Sequence, residues 1–400
     1  MTYAIFLTNE QILTPQQTSH KFNCSKNCFV VHIQLIVLPL PLPVRVPSHS
    51  THKQCSFPRS VASSLVVASL LRVLNELWRN RPLPRLFDYE TVTSNLTVND
   101  AIASVESAFG ALARGKVDVP LPMHIGIHET ATAGPGDCHI KGGYIEGTTT
   151  FTVKLACVSF YKNLEQGLPA GSGLFCVVDA VTGAPLAVFQ ENRYMTDLRT
   201  GAAGAVSLKY TTLPDTPLTI GFIGCGAIAR VMAWACKAVK PDFKGVAFGI
   251  AGAEEFCADM LGLPFTVATT AKDLCASSNV IFTQTPGSST VVELDWLRPG
   301  TTIVALGSDQ PTKQEIPNDV LKASKYVSDL VKHTSRVGEL RGALQAGVMT
   351  ESDVYCELGD LVNGTKPGRV GDELIVVELT GTGAQDSAIG QVAWDKLKAL

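Results

Sequence analysis

The chain has 400 residues, which is enough for two or three domains of ordinary size. Its composition, 46% hydrophobic and 17% charged, allows a large buried core and excludes a wholly disordered protein, a collagen-like repeat and a small disulfide-stapled module. The formal net charge of −3 gives no electrostatic reason to expect a nucleic-acid partner.

The start of the chain differs in charge from the rest. Residues 1–87 contain nine Lys or Arg and only two acids, whereas residues 88–400 contain 24 basic and 34 acidic residues, a net charge of −10. We interpret residues 1–87 as a disordered extension or a misassigned start, with a mitochondrial transit peptide as the alternative. Their longest apolar run, residues 29–44, is broken by prolines, so we predict no membrane span and a cytoplasmic protein.

The 11 cysteines show no spacing typical of a zinc site. Only Cys24 and Cys28, near the start of the chain, give a weak indication of a metal. We therefore predict no metal site, with thiols packed in the core of a protein from a reducing compartment.

Ordered structure is predicted from about Asp88, beginning with a helix over residues 97–115. Thr97 is a plausible N-cap for this helix, and its apolar residues recur every three or four positions. Short strands are predicted next, over residues 123–127, 143–146, 151–160, 173–179 and 185–190, the last two forming a hairpin.

A helix rich in small residues is predicted over residues 198–210, with Thr196 or Asp197 as its cap. Arg199 would then stand in the first turn, where a guanidinium and free N–H groups can converge on one carboxylate. The alternative role of Arg199 is an ion pair with Asp197 or another acid.

From residue 213 the sequence alternates strands and helices, which indicates βαβ units and a parallel sheet. Strands are predicted over residues 218–223, 245–250, 280–283, 302–306, 326–329 and 373–379, with helices from residue 227 and around residues 254–261. A last helix, residues 384–400, is predicted to return to the first domain.

The strongest motif joins the first of these strands to the helix that follows it. Gly224 permits a sharp turn, Gly226 lets the backbone approach a pyrophosphate, and Ala229 allows close packing of strand and helix. The alternative is a glycine turn that binds no nucleotide. The next strand ends with neither an acid nor an Arg that would distinguish NAD from NADP.

Three further segments carry candidate functional groups. Residues 283–286 follow a strand at the carboxyl edge of the sheet, where open α/β sheets bind ligands, and they line the cofactor site or, alternatively, form a plain loop. Lys154 lies within an apolar strand, where a charge is either used and paired or, on an edge strand, merely solvated. Asp309 follows another strand and is placed for proton transfer or, alternatively, caps a turn. His124, His128 and His139 are possible proton carriers, although structural roles are more common for strand histidines.

These segments together resemble the ornithine cyclodeaminase/mu-crystallin family. The matching stretches follow the family's order from about residue 97 to the end, at residues 153–155, 167–173, 179–183, 194–204, 224–229, 306–309, 338–340, 367–369 and 380–386. The sequences of residues 142–144 and 380–386 are similar to those of the family branch named for ectoine utilisation.

The resemblance implies an α/β fold with two domains. A Rossmann-type doubly wound NAD(P)-binding domain would cover residues 213–383. An α+β substrate-binding and dimerisation domain would cover residues 88–212 together with the helix over residues 384–400. The resemblance also implies a homodimer.

It further implies roles for individual residues. Lys154 matches the active-site lysine, Arg199 the carboxylate-binding arginine and Asp309 the acid/base aspartate. His124 lies roughly where many members have a second carboxylate-binding arginine, and Lys141 is a further candidate for substrate binding. NAD or NADP would be held by Gly224, Gly226, Ala227, Ile228, Ala229, Thr283, Thr285 and Pro286. Ile228 departs from the family, which usually has Gln there.

We therefore expect an NAD(P)-dependent enzyme that moves a hydride at the carbon bearing nitrogen, α to a carboxylate. The first expectation is cyclodeamination of an amino acid, such as ornithine to proline and ammonia. The alternatives are an NAD(P)H-dependent ketimine or imino-acid reductase, and a non-catalytic, mu-crystallin-like binding protein. The identity of the substrate is not readable from the sequence.

Overall fold

The computed structural model describes residues 83–214 and 216–400, which belong to one compact unit. The predictions made for residues 1–82 lie outside the described residues. Within the described part of the chain, no helix is long and apolar enough to cross a membrane.

Seven strands near the start of the described chain form a mostly antiparallel sheet. They are β1 (Arg85–Phe87), β2 (Val117–Asp118), β3 (Met123–Ile127), β4 (Gly136–Ile145), β5 (Thr150–Val158), β6 (Ser172–Asp179) and β7 (Pro185–Phe189). The order is β1-β7-β6-β5-β4-β2, with β3 also paired to β4, and β1 runs parallel to β7. The helices of this segment are α1 (Tyr89–Asn95), α2 (Val98–Ala113) and α3 (Tyr194–Thr211).

The predicted helix after Thr97 and the predicted hairpin are confirmed. Thr97 and Asp100 form a reciprocal capping box at the start of α2. β6 and β7 pair antiparallel across a turn in which Gly183 has φ of 69°. Strand β4 is longer than the predicted residues 143–146, because its glycine-rich and polar first half pairs with β5.

Two predicted boundaries in this segment are wrong. The fold includes Arg85–Phe87, ahead of the predicted start at Asp88, because Phe87 is buried and stacks on Phe189 at a centroid distance of 5.1 Å. Helix α3 begins at Tyr194 with Arg193 as N-cap, so neither Thr196 nor Asp197 caps it.

Eight later strands form a second sheet, in which every pair is parallel. They are β8 (Thr219–Ile223), β9 (Lys244–Phe248), β10 (Phe265–Val267), β11 (Val280–Thr283), β12 (Thr302–Ala305), β13 (Lys325–Ser328), β14 (Cys356–Glu357) and β15 (Ile375–Glu378). Their order is β10-β9-β8-β11-β12-β15-β13-β14. The change of direction between β8 and β11 is the switch point at which a doubly wound sheet binds ligands.

Helices accompany the second sheet and close the chain. They are α4 (Ala227–Val239), α5 (Ala253–Asp259), α6 (Ala271–Ser277), α7 (Asn318–Ala323), α8 (Val331–Thr334), α9 (Glu339–Gln345), α10 (Leu358–Val362) and α11 (Gly383–Leu397). Strands β11 and β12 are buried along their whole length, as expected for parallel strands covered on both faces.

Helix α3 joins the two sheets through close packing against α4. A Cβ atom at Gly204 would overlap the side chain of Met232, and one at Gly201 would lie 3.0 Å from Val231. The small residues of α3 therefore let the two helix axes approach. At the other end of the chain, α11 packs on β4 and β5. The predicted boundary between residues 212 and 213 falls in the connection from α3 to β8.

Candidate functional site

A cavity lies where the two sheets approach each other. Its lining comes from β4, β5, the start of α3 and of α4, the loops after β12 and β15, and α11. It contains about 630 Å³ of empty space, a volume that includes solvent at its opening. Lys141, Lys154, Arg199, Ile228 and Asp309 all line it.

Three charged groups form its buried centre. Lys154 Nζ donates to Asp386 Oδ1 at 2.9 Å, and Arg199 Nε lies 3.1 Å from the same oxygen. Side-chain exposure is 1% for Lys154, 9% for Arg199 and 0% for Asp386. One carboxylate thus faces two cations, so the centre carries an excess positive charge that suits an anionic ligand.

Burial governs how these groups ionise. Removal from water lowers the pKa of Lys154 to about 7, with Arg199 adding to the effect and Asp386 opposing it. Burial alone would raise the pKa of Asp386, but Lys154, Arg199 and Lys141 outweigh it and hold the pKa below its usual value. Lys154 is therefore balanced between an ammonium and a free amine near neutral pH.

Several buried polar atoms around this centre have no hydrogen-bond partner among the described residues. They include Asp386 Oδ2, Gln385 Nε2 and His139 Nε2. Unsatisfied buried polar groups are costly in a folded protein. His139 and Gln385 line the cavity, where a polar ligand can complete their hydrogen bonding.

Lys141 approaches the cavity from β4. Its Nζ donates to the carbonyl oxygens of Thr380 and Gly381, each at 2.9 Å. Gly381 adopts φ of 77°, and a Cβ atom there would lie 2.6 Å from Arg199 Nη1. Burial, reinforced by Arg199, lowers the pKa of Lys141. Lys141 therefore fixes the loop after β15 in a position that leaves room for Arg199.

Asp309 enters the cavity from the loop after β12. Its Oδ1 accepts from Lys313 Nζ at 3.1 Å, and about a third of its side chain remains exposed. Burial would raise the pKa of Asp309, but Lys313, His139 and Lys141 keep it below the usual value. Asp309 is thus an ionised, partly accessible carboxylate on the cavity wall, as a proton acceptor requires.

The glycine turn after β8 has the geometry predicted for it. Gly224 has φ of 98°, and a Cβ atom there would lie 2.8 Å from the carbonyl oxygen of Gln284. A Cβ at Gly226, the N-cap of α4, would meet nothing within 4 Å, so the backbone there faces open space. Free N–H groups at the start of α4 can therefore receive a diphosphate, and the residues present fit a dinucleotide.

The loop after β11 lies against this turn. Gln284 Nε2 donates to the carbonyl oxygen of Gly224 at 2.7 Å. Glu315 accepts from Thr283 Oγ1 at 2.7 Å, from Thr285 N and Oγ1 at 2.7 Å each, and from Gly307 N at 2.9 Å. The buried Glu315 carboxylate therefore connects the loop after β11 with the loop that carries Asp309.

The structure brings most of the predicted site residues together, with exceptions. His124 is exposed on β3, pairs with Asp137 at 2.9 Å and does not line the cavity, whereas its neighbour His139 does. The side chain of Thr283 is fully buried against Glu315, so it cannot reach a ligand, and Pro286 is exposed. The geometry therefore gives no support to His124 or Thr283 as ligand contacts, and both stay predictions.

The observed start of α3 shows that the expected position of Arg199 in the first helical turn is wrong. Because α3 begins at Tyr194, Arg199 lies beyond the first turn and its guanidinium does not act with the helix N–H groups. Glu191 takes that place and accepts from Thr196 N at 3.1 Å and Thr196 Oγ1 at 3.2 Å. The alternative of an ion pair with Asp197 or another acid is met by Asp386, while Asp197 pairs with Arg193.

Sequence reasoning missed several residues of the site. Asp386 lies within the segment 380–386 that matched the family, but nothing in its spacing linked it to Lys154. Gln385, Arg193 and Glu315 also lacked a local signal, because each meets the site through contacts between distant segments. Across residues 83–214 and 216–400, no group of three or more His, Cys, Asp and Glu side chains is arranged to hold a metal ion.

This architecture defines the class of protein. It is an α/β protein with a Rossmann-type domain and a second domain, and its charged cavity lies where the two meet. The family model described as the ornithine cyclodeaminase/mu-crystallin family matches residues 85–399. The chain belongs to the ornithine cyclodeaminase/mu-crystallin family.

Individual relatives agree with this assignment. A putative dehydrogenase of Rhizobium meliloti is 33% identical over 75% of this chain and 91% of its own length. The alanine dehydrogenase of Archaeoglobus fulgidus is 30% identical over 76% of this chain and 92% of its own. The structure of the Δ1-pyrroline-2-carboxylate reductase of Thermococcus litoralis with NADH and L-proline matches with a TM-score of 0.73, 27% identity and coverage of 79% and 98%.

The names of other relatives span two kinds of reaction. They include an iminosuccinate reductase and an uncharacterized cyclodeaminase. Family membership by itself therefore leaves open whether a member reduces an imine or deaminates an amino acid.

Proposed function

We propose that this protein is an NAD(P)-dependent enzyme that interconverts an amino acid and the corresponding imino acid. The observation that carries the proposal is that Lys154 and Arg199, both paired with the buried Asp386, line one cavity with Asp309 and with Ile228 from the start of α4. Burying two cations around one carboxylate is costly unless a function requires it. A protein that only bound a nucleotide would not need that group.

Each residue has a proposed part in the reaction. Arg199 binds the substrate carboxylate, because its guanidinium lies at the excess positive charge of the cavity. Lys154, with a pKa of about 7, exchanges a proton with the nitrogen of the substrate. Asp309 takes up or returns a proton on the opposite wall.

The nucleotide site would be formed by the turn from Gly224 to Gly226 and the start of α4. A bound nicotinamide dinucleotide supplies a hydride acceptor or donor for the carbon that bears nitrogen. Ile228, at the start of α4, lines the cavity and so brings the end of the glycine turn to it. NAD and NADP both remain candidates, because β9 ends at Phe248 and is followed by Gly249 and the exposed Ile250 rather than by a charged residue.

Reduction of an imino acid, or its reverse, fits this cavity better than cyclodeamination of a diamino acid. The cations Lys141, Lys154, Arg199 and Arg193 all line it, and they would repel a second ammonium group on the substrate. The alanine dehydrogenase and pyrroline-carboxylate reductase relatives support the same class of reaction.

The test uses the full chain with NADH or NADPH, supplied with Δ1-pyrroline-2-carboxylate or with a 2-oxo acid and ammonia. In the reverse direction, NAD⁺ or NADP⁺ is supplied with alanine, proline or ornithine; formation of NADH or NADPH is measured for each, and ammonia is measured for alanine and ornithine. We expect reductive amination or imine reduction. Ammonia and proline from ornithine would instead favour cyclodeamination, and nucleotide binding without turnover on any substrate would refute the proposal.

Substitutions then test the roles. Arg199→Lys should lower kcat/KM by roughly 10- to 100-fold, the loss expected for one charge-assisted hydrogen bond. Lys154→Met should abolish turnover. Lys116→Met serves as the matched control, because it removes an exposed lysine that immediately precedes β2. This variant should keep wild-type activity. Equal activity of all three variants would contradict the role assignment.

We also propose that the protein forms a homodimer through the outer face of the antiparallel sheet. Met123, Ile125 and Val153 are 59%, 47% and 40% exposed. Strand register places all three on the face opposite Lys141 and Lys154. Sedimentation of the wild type and of Ile125→Glu/Val153→Glu tests this, since the charged variant should be monomeric. A wild type that sediments as a monomer at micromolar concentration would exclude the dimer.

A further inference from the structure

Arg193 is a cation of the cavity that the proposed reaction does not use. It is the N-cap of α3 and lines the same cavity as Lys154 and Arg199. The residues of α3 that face the cavity with it are Thr196, Arg199, Thr200 and Ala203. Arg193 thus lies about two helical turns from Arg199 along the face that contacts the ligand.

The backbone at Arg193 is held in an unfavourable conformation. Asn192 and Arg193 have φ of 43° and 74°, in the left-handed region that favours glycine. Strained residues of this kind concentrate at ligand-binding sites, because only a functional gain offsets their cost. A glycine would take this position without strain, so the arginine side chain needs another reason to be there.

The surroundings make room for that side chain. A Cβ atom at Gly171, just before β6, would lie 2.6 Å from Arg193 Cδ and 3.0 Å from Nη1. Arg193 Nη2 donates to Asp197 Oδ1 at 2.9 Å, and the arginine side chain is 23% exposed. No partner for Nε or Nη1 is found within the part of the chain that the structure describes, so these donors can bind a ligand.

We propose that Arg193 binds a second anionic group, so that the preferred substrate is an amino or imino acid whose side chain ends in a carboxylate. Arg199 would bind the carboxylate next to the reacting carbon, and Arg193 the one at the end of the side chain. This assignment rests on the proposed function and adds the class of side chain. A guanidinium binds a carboxylate through two parallel hydrogen bonds, so binding at Arg193 depends on the position and orientation of the side-chain carboxylate.

The experiment compares dicarboxylic and monocarboxylic substrates. Oxaloacetate with ammonia yields a dicarboxylic imino acid, and pyruvate with ammonia yields a monocarboxylic imino acid with a neutral side chain. Reduction of either imino acid consumes one NAD(P)H and one proton. We expect Arg193→Gly to lower kcat/KM for the dicarboxylic substrate by about 10- to 100-fold and to leave the neutral one within about twofold. Its Tm should not fall, because glycine removes the backbone strain.

Two variants serve as controls. Asn192→Gly relieves the neighbouring strain but keeps the cation, so its substrate preference should match the wild type. Asp197→Asn frees the guanidinium from its partner, so it should increase the preference for the dicarboxylic substrate. Equal losses for both substrates in Arg193→Gly, or a wild type that prefers the neutral one, would overturn the assignment.

A binding measurement keeps the assignment testable if the enzyme turns over none of these substrates, an outcome that would refute the proposed function instead. Calorimetric titration of the NAD⁺- or NADP⁺-loaded protein with succinate and with butyrate compares a dicarboxylate and a monocarboxylate of equal chain length. Arg193→Gly should weaken succinate binding about tenfold or more and leave butyrate binding unchanged. Equal affinity of the wild type for both ligands would exclude a second anion site at Arg193.

Discussion

Replacing Lys154 should separate the stability of this protein from its activity. Lys154→Met keeps a side chain of similar length but removes the buried charge. Arg199 Nε stays 3.1 Å from Asp386 Oδ1, so the carboxylate retains a counter-charge. We therefore expect an inactive protein that is more stable than the wild type near neutral pH.

The size of the gain follows from the ionisation of Lys154. Burial lowers its pKa from 10.5 to about 7, and each unit of pKa difference corresponds to about 1.4 kcal/mol. Near pH 7 the unfolded chain holds this lysine protonated while the fold disfavours the proton. Retaining Lys154 thus costs on the order of 4 kcal/mol at pH 7.

The pH dependence has a definite sign. Between pH 7 and 10.5 the unfolded state binds more protons at this site than the folded state, so the stability of the wild type rises with pH. The cost is complete below pH 7 and disappears above pH 10.5. The advantage of Lys154→Met over the wild type should shrink accordingly as the pH rises.

Urea unfolding of the two proteins at several pH values between 6 and 10 measures this difference. Lys116→Met, which removes a lysine that is 53% exposed, is the matched control and should unfold like the wild type at each pH. A Lys154→Met protein that is less stable than the wild type by the same amount at every pH would refute the reasoning. It would mean that the contact with Asp386 outweighs the burial of the charge.

Three further predictions concern the edge of the parallel sheet. Asp309→Asn should lower kcat by about 10²- to 10⁴-fold with little change in substrate KM or Tm, and an unchanged kcat would exclude proton transfer by Asp309. Gly224→Ala should weaken NAD(P) binding measured by fluorescence titration, because φ of 98° and the Gln284 carbonyl at 2.8 Å leave no room for a methyl group. Glu315→Ala should raise the KM for nucleotide and lower kcat together, since it releases Thr285 and Gly307, and a change in Tm alone would show a purely structural role.

The sequence was most informative where a function depends on local spacing. The strand that ends at Ile223, the glycine turn and the start of the helix at Ala227 were predicted to within one residue, because hydrophobic period and glycine positions are local properties. The capped helix α2 was predicted for the same reason. The start of α3 was missed, since a helix N-cap with φ of 74° at Arg193 contradicts ordinary residue preferences and is held by contacts with Gly171 and Asp197.

The sequence by itself determined the alternation of strands and helices, the glycine turn and the candidates Lys154, Arg199 and Asp309. It left the environment of each candidate open, because burial and charge pairing depend on segments far apart in the chain. Folding brings Asp386 to Lys154 across 232 positions, and that contact decides that the lysine is buried and paired rather than solvated on an edge strand. His124 and His139 pair directly across β3 and β4 and so lie on the same face of the sheet, but only His139 is buried, because the elements that line the cavity cover β4 and leave β3 exposed.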